Sequence, residues 1–212
     1  MSRVLIDATF NNPLLKTADT VVFRDTFNRA DAVLTGQNTP IGGKAWATRS
    51  DGSSAVQSAV IRSNQAGILS DTAGALLLAV VDAASANGIY ELDFAYAAAG
   101  VANTQIFIPF RVSTANNYLE LTVTNGKWTL RKRVSGTYTA ITVSAVDAAV
   151  GQRIKIVLNG SSIRIYINGV LAIDVVETDQ QANTMFGIGN RILAASAPGL
   201  RWDNLSFIIP GT

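Results

Sequence analysis

The sequence predicts an all-β protein, an antiparallel β-sandwich with an extended N-terminal arm. Three observations carry this prediction. Short runs with apolar residues at alternate positions recur at close spacing from Val21 to Ile208, the pattern of half-buried strands. Asn125-Gly126, Asn159-Gly160 and Asn168-Gly169 mark tight hairpins, because both residue types tolerate positive φ, and a tight hairpin enforces antiparallel pairing. No stretch has convincing amphipathic-helix periodicity.

Taken in order, residues 1–20 hold Val4-Leu5-Ile6, then Phe10-Asn11-Asn12-Pro13, then Leu14-Leu15, and Pro13 with its two Asn neighbours interrupts any regular element. This segment is read as an assembly arm whose Val4, Leu5, Ile6, Phe10, Leu14 and Leu15 need a neighbouring subunit to bury them, with an ordinary first strand as the alternative. The domain occupies 21–212. Its first strand is Val21 to Phe27, followed by a long loop with Gly36, Pro40, Gly42 and Gly43 before Trp46. Further strands are expected at 59–62, 66–69, 75–81, 89–96, 104–112, 118–124, 128–134, 140–143, 153–158, 162–167, 170–176, 185–188 and 200–208. The block from Gln152 to Val176 is the clearest: Ile154, Ile156 and Leu158 alternate with Arg153, Lys155 and Val157, and Ile163, Ile165 and Ile167 with Arg164 and Tyr166.

Composition narrows function by exclusion. A chain of 212 residues with 48% hydrophobic content suits one domain with an ample core. Charged residues make up 15%, against roughly 25% in an average soluble domain, so the surface is polar without being strongly charged. The net charge of +2 argues against nucleic acid and anionic membrane as partners. The chain has no cysteine and no histidine, which removes disulfides, thiolate metal sites, cysteine nucleophiles and the commonest general base. The N-terminus lacks the pattern of a signal peptide, and no apolar run approaches the ~18 residues that span a bilayer, so synthesis in a cytoplasm as a soluble protein is expected.

Two short motifs bracket the strands. Arg24-Asp25-Thr26-Phe27-Asn28-Arg29-Ala30-Asp31 opens the domain and Arg201-Trp202-Asp203-Asn204-Leu205-Ser206-Phe207 closes it, so the first and last strands are expected side by side. This pair resembles the opening and closing strands of the concanavalin A-like (laminin G-like) jelly rolls. Ile163 to Leu171 and Phe107 to Leu121 likewise resemble hairpins of that family, and the resemblance covers about residues 23–208. It implies a jelly-roll sandwich and a binding or structural module rather than an enzyme. Together with the arm and the absent signal peptide, the chain resembles virion components of tailed bacteriophages, minor tail or capsid-decorating proteins that assemble as oligomers with other virion proteins. The alternative implied function is carbohydrate binding at a cell-surface glycan.

Candidate sites follow. By resemblance, Asp203 and then Asp25 are the expected ligands of a structural calcium between the first and last strands; no other cofactor is implied. Tyr118, with Asn116 and Asn117, is the expected rim of a glycan site, because sugar rings stack on exposed aromatics. Tyr138 is placed in a loop, and Trp46, Trp128 and Trp202 are assigned to the core. Glu91 and Asp93 share one face of a strand by period two, but the third carboxylate of the family's glycosidase motif is replaced by Tyr96, and a retaining mechanism needs two carboxyls about 5 Å apart. No catalytic residue is therefore assigned. Lys127 to Arg133, the one basic run, reads as a solvated sheet face with Lys127, Thr129, Arg131 and Arg133 outward and Trp128 and Leu130 inward.

Overall fold

The computed structural model describes residues 18–52, 57–70, 76–97, 104–192 and 200–211, so the expected arm residues Val4, Leu5, Ile6, Phe10, Leu14 and Leu15 lie outside the described residues. Among the described residues, sixteen strands form two antiparallel sheets. The nine-stranded sheet runs β14 (Val170–Val176), β13 (Ser162–Ile167), β12 (Arg153–Asn159), β7 (Gly88–Ala97), β16 (Leu200–Ile209), β5 (Gln65–Ser70), β4 (Gln57–Arg62) and β2 (Ala32–Val33), with β1 (Thr20–Asp25) also on β16. The seven-stranded sheet runs β11 (Thr137–Asp147), β10 (Lys127–Val134), β9 (Asn117–Thr124), β8 (Thr104–Thr114), β15 (Met185–Ile192), β6 (Leu76–Asp82) and β3 (Ala47–Ser50). The first and last strands do pair, from Thr20 opposite Ile209 to Asp25 opposite Leu205.

Alternation explains the layers. Along β12 and β13 every second residue is buried, so Ile154, Ile156, Leu158, Ile163, Ile165 and Ile167 face the other sheet. From the seven-stranded sheet, Ile106, Ile108, Leu119, Leu121, Trp128, Leu130, Phe186 and Ile188 meet them. Aromatics fill the space between: Phe94 sits 5.3 Å from Trp202 and edge-on at 6.0 Å to Trp128, and Phe207 contacts Phe186 at 4.4 Å. Trp46, Trp128 and Trp202 are all buried, as expected. Tyr90 crosses the core and donates its hydroxyl to the Gly187 carbonyl at 2.6 Å, tying one sheet to the other. Burial of that pair raises the Tyr90 pKa well above its ordinary value.

Two turns differ from expectation. Asn125 and Gly126 both have positive φ, as do Asn168 and Gly169, but in the third hairpin Asn159 still pairs with Ser162 and only Gly160 turns over. Ser135-Gly136 makes an additional positive-φ turn between β10 and β11, and β11 extends over eleven residues instead of four. Most of β11 is exposed because it is an edge strand, which removes the apolar alternation that would have announced it.

Candidate functional site

The outward face of the seven-stranded sheet is unusual. A face pointing away from the sandwich core ordinarily carries solvated side chains, yet here Leu76, Leu78, Val80, Phe107, Val112 and Tyr118 form a second buried cluster. Polar groups continue it: Glu120, Thr122 and Thr129 are buried, and Arg131 and Arg133 are mostly buried.

Strand register builds this cluster. Arg131 lies opposite Glu120 across β9–β10, and Arg133 lies opposite Tyr118 on one side and Tyr138 on the other. The Ser135-Gly136 turn sets that second register. The Tyr138 ring reaches back over the sheet, with the guanidinium carbons of Arg131, Arg133 and Arg191 at 4.7, 4.9 and 5.9 Å from its centroid. Its hydroxyl meets the Tyr118 hydroxyl at 3.0 Å. Tyr118 in turn stacks on Phe107 at 6.0 Å, and Phe107 lies over Gly189, where a Cβ would come within 2.1 Å of the ring. Gly189 thus leaves the gap that Phe107 fills.

The charges are unevenly matched. Arg131 donates from Nε to Glu120 Oε1 at 2.7 Å, while Glu120 Oε2 is buried without a hydrogen bond among the described residues. Desolvation raises the Glu120 pKa, with Arg131 acting against it. Tyr118 is pushed far above its ordinary value, first by burial and then by the Glu120 carboxylate. Arg133 faces Asp51 at 3.6 Å and donates to the carbonyls of Ala115 at 2.6 Å and Gly136 at 3.2 Å. Arg191 has no carboxylate partner among the described residues, and its Nε is buried without an acceptor. Arg49, on the same face, reaches only the Thr48 carbonyl and the Met185 sulfur.

The expected site residues fall differently. Tyr118 is fully buried, so its ring cannot stack on a sugar, which corrects its assignment as the rim aromatic. Tyr138, two residues past a turn, is only partly buried, and it lies on a strand rather than in a loop. Asn117 is consumed structurally: its amide donates to Thr114 at 3.0 Å and its oxygen accepts from the Ser135 N–H at 2.9 Å, locking two turns together. Asn116 is half-buried beside Gly136, and its side chain makes no hydrogen bond among the described residues.

Asp25 does not fit the calcium expectation. It is buried, and its two oxygens already accept from the Phe27 N–H, Trp46 Nε1 and two nitrogens of Arg29, at 2.6 to 2.9 Å. The Arg29 guanidinium supplies the positive charge a metal ion would bring. Asp203 accepts from the Asn204 N–H at 2.7 Å, and desolvation raises its pKa, with Asp93 and Asp25 adding to the rise. Among the described residues no group of three or more metal-ligating side chains converges.

On the outer face of the nine-stranded sheet, Glu91 and Asp93 point outward as expected, and one residue engages both. Arg153 bonds Glu91 at 2.8 Å and Asp93 at 2.9 Å, and Asn204 donates to the other Asp93 oxygen at 2.7 Å.

No protein-family model matches the sequence, and no curated protein matches it. Solved structures do. The chain is similar to a protein of unknown function with a galectin-like fold from Bacillus subtilis, at 12% identity and a TM-score of 0.59, covering 92% of this chain and 98% of that one. It is similar to a LamA variant from Z. galactanivorans in complex with laminaritriose and laminaritetraose, at 10% identity and 0.54, covering 91% and 99%. It is also similar to the Emp47p carbohydrate recognition domain, at 11% and 0.52, covering 92% and 98%. At these identities the likeness establishes the fold. The chain is a galectin-like, concanavalin A-like jelly roll.

Proposed function

We propose that this chain is a non-catalytic carbohydrate-binding module that receives its glycan on the outward face of the seven-stranded sheet. The observation that carries the reading is the cluster of Tyr138 with Arg131, Arg133 and Arg191 above a buried Glu120. Sugars are recognised by an aromatic surface for their C–H faces and by planar, fixed hydrogen-bonding groups for their hydroxyls. Tyr138 supplies the first and the arginines with Asn116 the second. Packing over one ring holds the guanidinium groups in place before any ligand arrives, which lowers the ordering cost of binding. Two of the similar structures are a carbohydrate recognition domain and a protein with bound laminari-oligosaccharides, which favours this reading.

The non-catalytic part rests on the Arg153 clamp. Both carboxylates of the one glycosidase-like strand are engaged by the same cation, and Asp203, which lies opposite Asp93 on the neighbouring strand, is engaged by the Asn204 N–H. The virion-assembly expectation depends on residues before Ala18, and the similar structures give it no support.

The test is a glycan-array screen followed by calorimetry on the strongest hit, with Tyr138→Ala and Tyr138→Phe. Ala removes the ring and is expected to weaken binding about tenfold or more, whereas Phe keeps the ring and most of the affinity. Equal affinity for the Ala variant would place the glycan elsewhere. Failure to bind any glycan would overturn the reading.

A further inference from the structure

Charge on the same face narrows the ligand. Around Tyr138 and along β3 and β15 stand Arg49, Arg131, Arg133 and Arg191, and the carboxylates facing them are Glu120 and Asp51. Glu120 is engaged by Arg131, and Asp51 faces Arg133. Arg191 and Arg49 are left without a carboxylate among the described residues. Arg191 is the informative one. Its Nε is buried with no acceptor among the described residues, an arrangement that ordinarily destabilises a fold. Its guanidinium is held at the edge of the Tyr138 ring, 5.9 Å from the centroid. With Nε buried, the two terminal nitrogens are the ones left to face outward, and beside an aromatic surface they form half of a bidentate ion pair.

We infer that the glycan received on this face is an acidic saccharide of the uronate type, whose ring lies against Tyr138 and whose carboxylate is bound by Arg191. This deepens the carbohydrate-binding reading and rests on it. The planar two-oxygen carboxylate matches the guanidinium fork better than a tetrahedral sulfate does, so a carboxylated sugar is the preferred occupant. Glu120 sharpens the choice. It lies beneath the arginines, fully buried, so it touches no ligand and acts through its charge, which repels a second carboxylate placed over it. The geometry therefore selects a single acid group rather than any dense polyanion.

The experiment measures binding of the full chain to four probes at two salt concentrations: an oligogalacturonate, a sulfated galactan oligosaccharide, a neutral laminari-oligosaccharide and polyglutamate. The expected result is tightest binding to the oligogalacturonate, weakening with salt, and lowered about tenfold or more by Arg191→Gln. Arg191→Lys keeps the charge but not the fork and should recover only part of the affinity. Arg191 makes no ion pair among the described residues, so neither variant should lower the melting temperature by more than a few degrees, which separates lost binding from lost folding. Preference for the sulfated or the neutral oligosaccharide would overturn the uronate inference and leave the carbohydrate reading standing. Equal binding to polyglutamate would reduce the effect to charge alone and overturn it as well. No binding to any saccharide would instead remove the reading on which it rests.

Discussion

The two outer faces of this sandwich carry similar residues and use them in opposite ways. On the nine-stranded sheet, Glu91, Asp93, Arg153, Lys155 and Asn204 form a partly exposed network in which Arg153 is 39% exposed and each carboxylate is matched. On the seven-stranded sheet, Glu120 is fully buried, Arg131 is 14% exposed, and Glu120 Oε2 and Arg191 Nε are left without partners among the described residues. Water can complete the first network at little cost. It cannot reach the buried oxygen and nitrogen of the second, so their unused bonding capacity is a standing free-energy penalty.

The sharpest way to break that contrast is to remove one carboxylate from each face. Glu120→Ala strips Arg131 of the carboxylate it pairs with in a mostly buried setting and is expected to cost about 3–5 kcal/mol. Glu91→Ala leaves Arg153 exposed to water and still bonded to Asp93, and should cost no more than about 1 kcal/mol. Urea denaturation of both variants measures the difference. Similar costs would mean that the two faces are equally solvated, and the argument for a site on the seven-stranded sheet would lose its basis.

Gly189→Ala probes the same face without touching a charge. The added methyl would come within 2.1 Å of the Phe107 ring, which must move and take Tyr118 with it. A loss of about 1–3 kcal/mol is expected from overpacking. The larger consequence is displacement of Tyr138 through the Tyr118 hydroxyl, so glycan affinity should fall further than stability. A variant that loses stability but binds normally would uncouple Phe107 from the site.

How much of this was legible in the sequence differs between fold and site. The strands of the core were legible, because burial on one face enforces the alternation seen in Arg153 to Leu158. The pairing of the termini was legible from the Asp25 and Asp203 motifs, though the role assigned to Asp25 was not: Arg29, four residues on, takes the place given to a metal ion, and only the folded loop brings Trp46 beside it. The site was hidden for a related reason. Lys127 to Arg133 announces outward arginines, but nothing local says that Tyr118 is fully covered and Tyr138 only partly so. That exchange depends on the Ser135-Gly136 turn and on Phe107 filling the space over Gly189, both products of cross-strand register. The one usable signal was spacing: the four residues between Arg133 and Tyr138, with a Ser-Gly turn at their centre, place the two opposite each other on one face.

Buried and partly buried acids also make the contrast readable by pH. Desolvation raises the Glu120 pKa above its ordinary 4.5, and that of Asp203 above 3.8. Between the unfolded and folded values the folded chain holds more protons than the unfolded one, so stability falls as pH rises through that window. Glu120→Gln removes one of the two contributions and should flatten the slope, as seen by urea denaturation at several pH values. An unchanged slope would mean that Arg131 fully offsets the desolvation of Glu120.

The smallest effect is expected from Arg153→Gln, and its smallness is what makes it useful. Arg153 joins Glu91, Asp93 and the Asn204 carbonyl, so by number of bonds it looks more important than Arg191. Its exposure reverses that ranking, because exposed pairs contribute about 0–1 kcal/mol once solvent and side-chain entropy compete. A melting temperature lowered by a few degrees at most, with glycan affinity unchanged, is expected. Loss of glycan binding in this variant would move the site to the nine-stranded sheet, where freeing Glu91 and Asp93 would also reopen the question of hydrolysis.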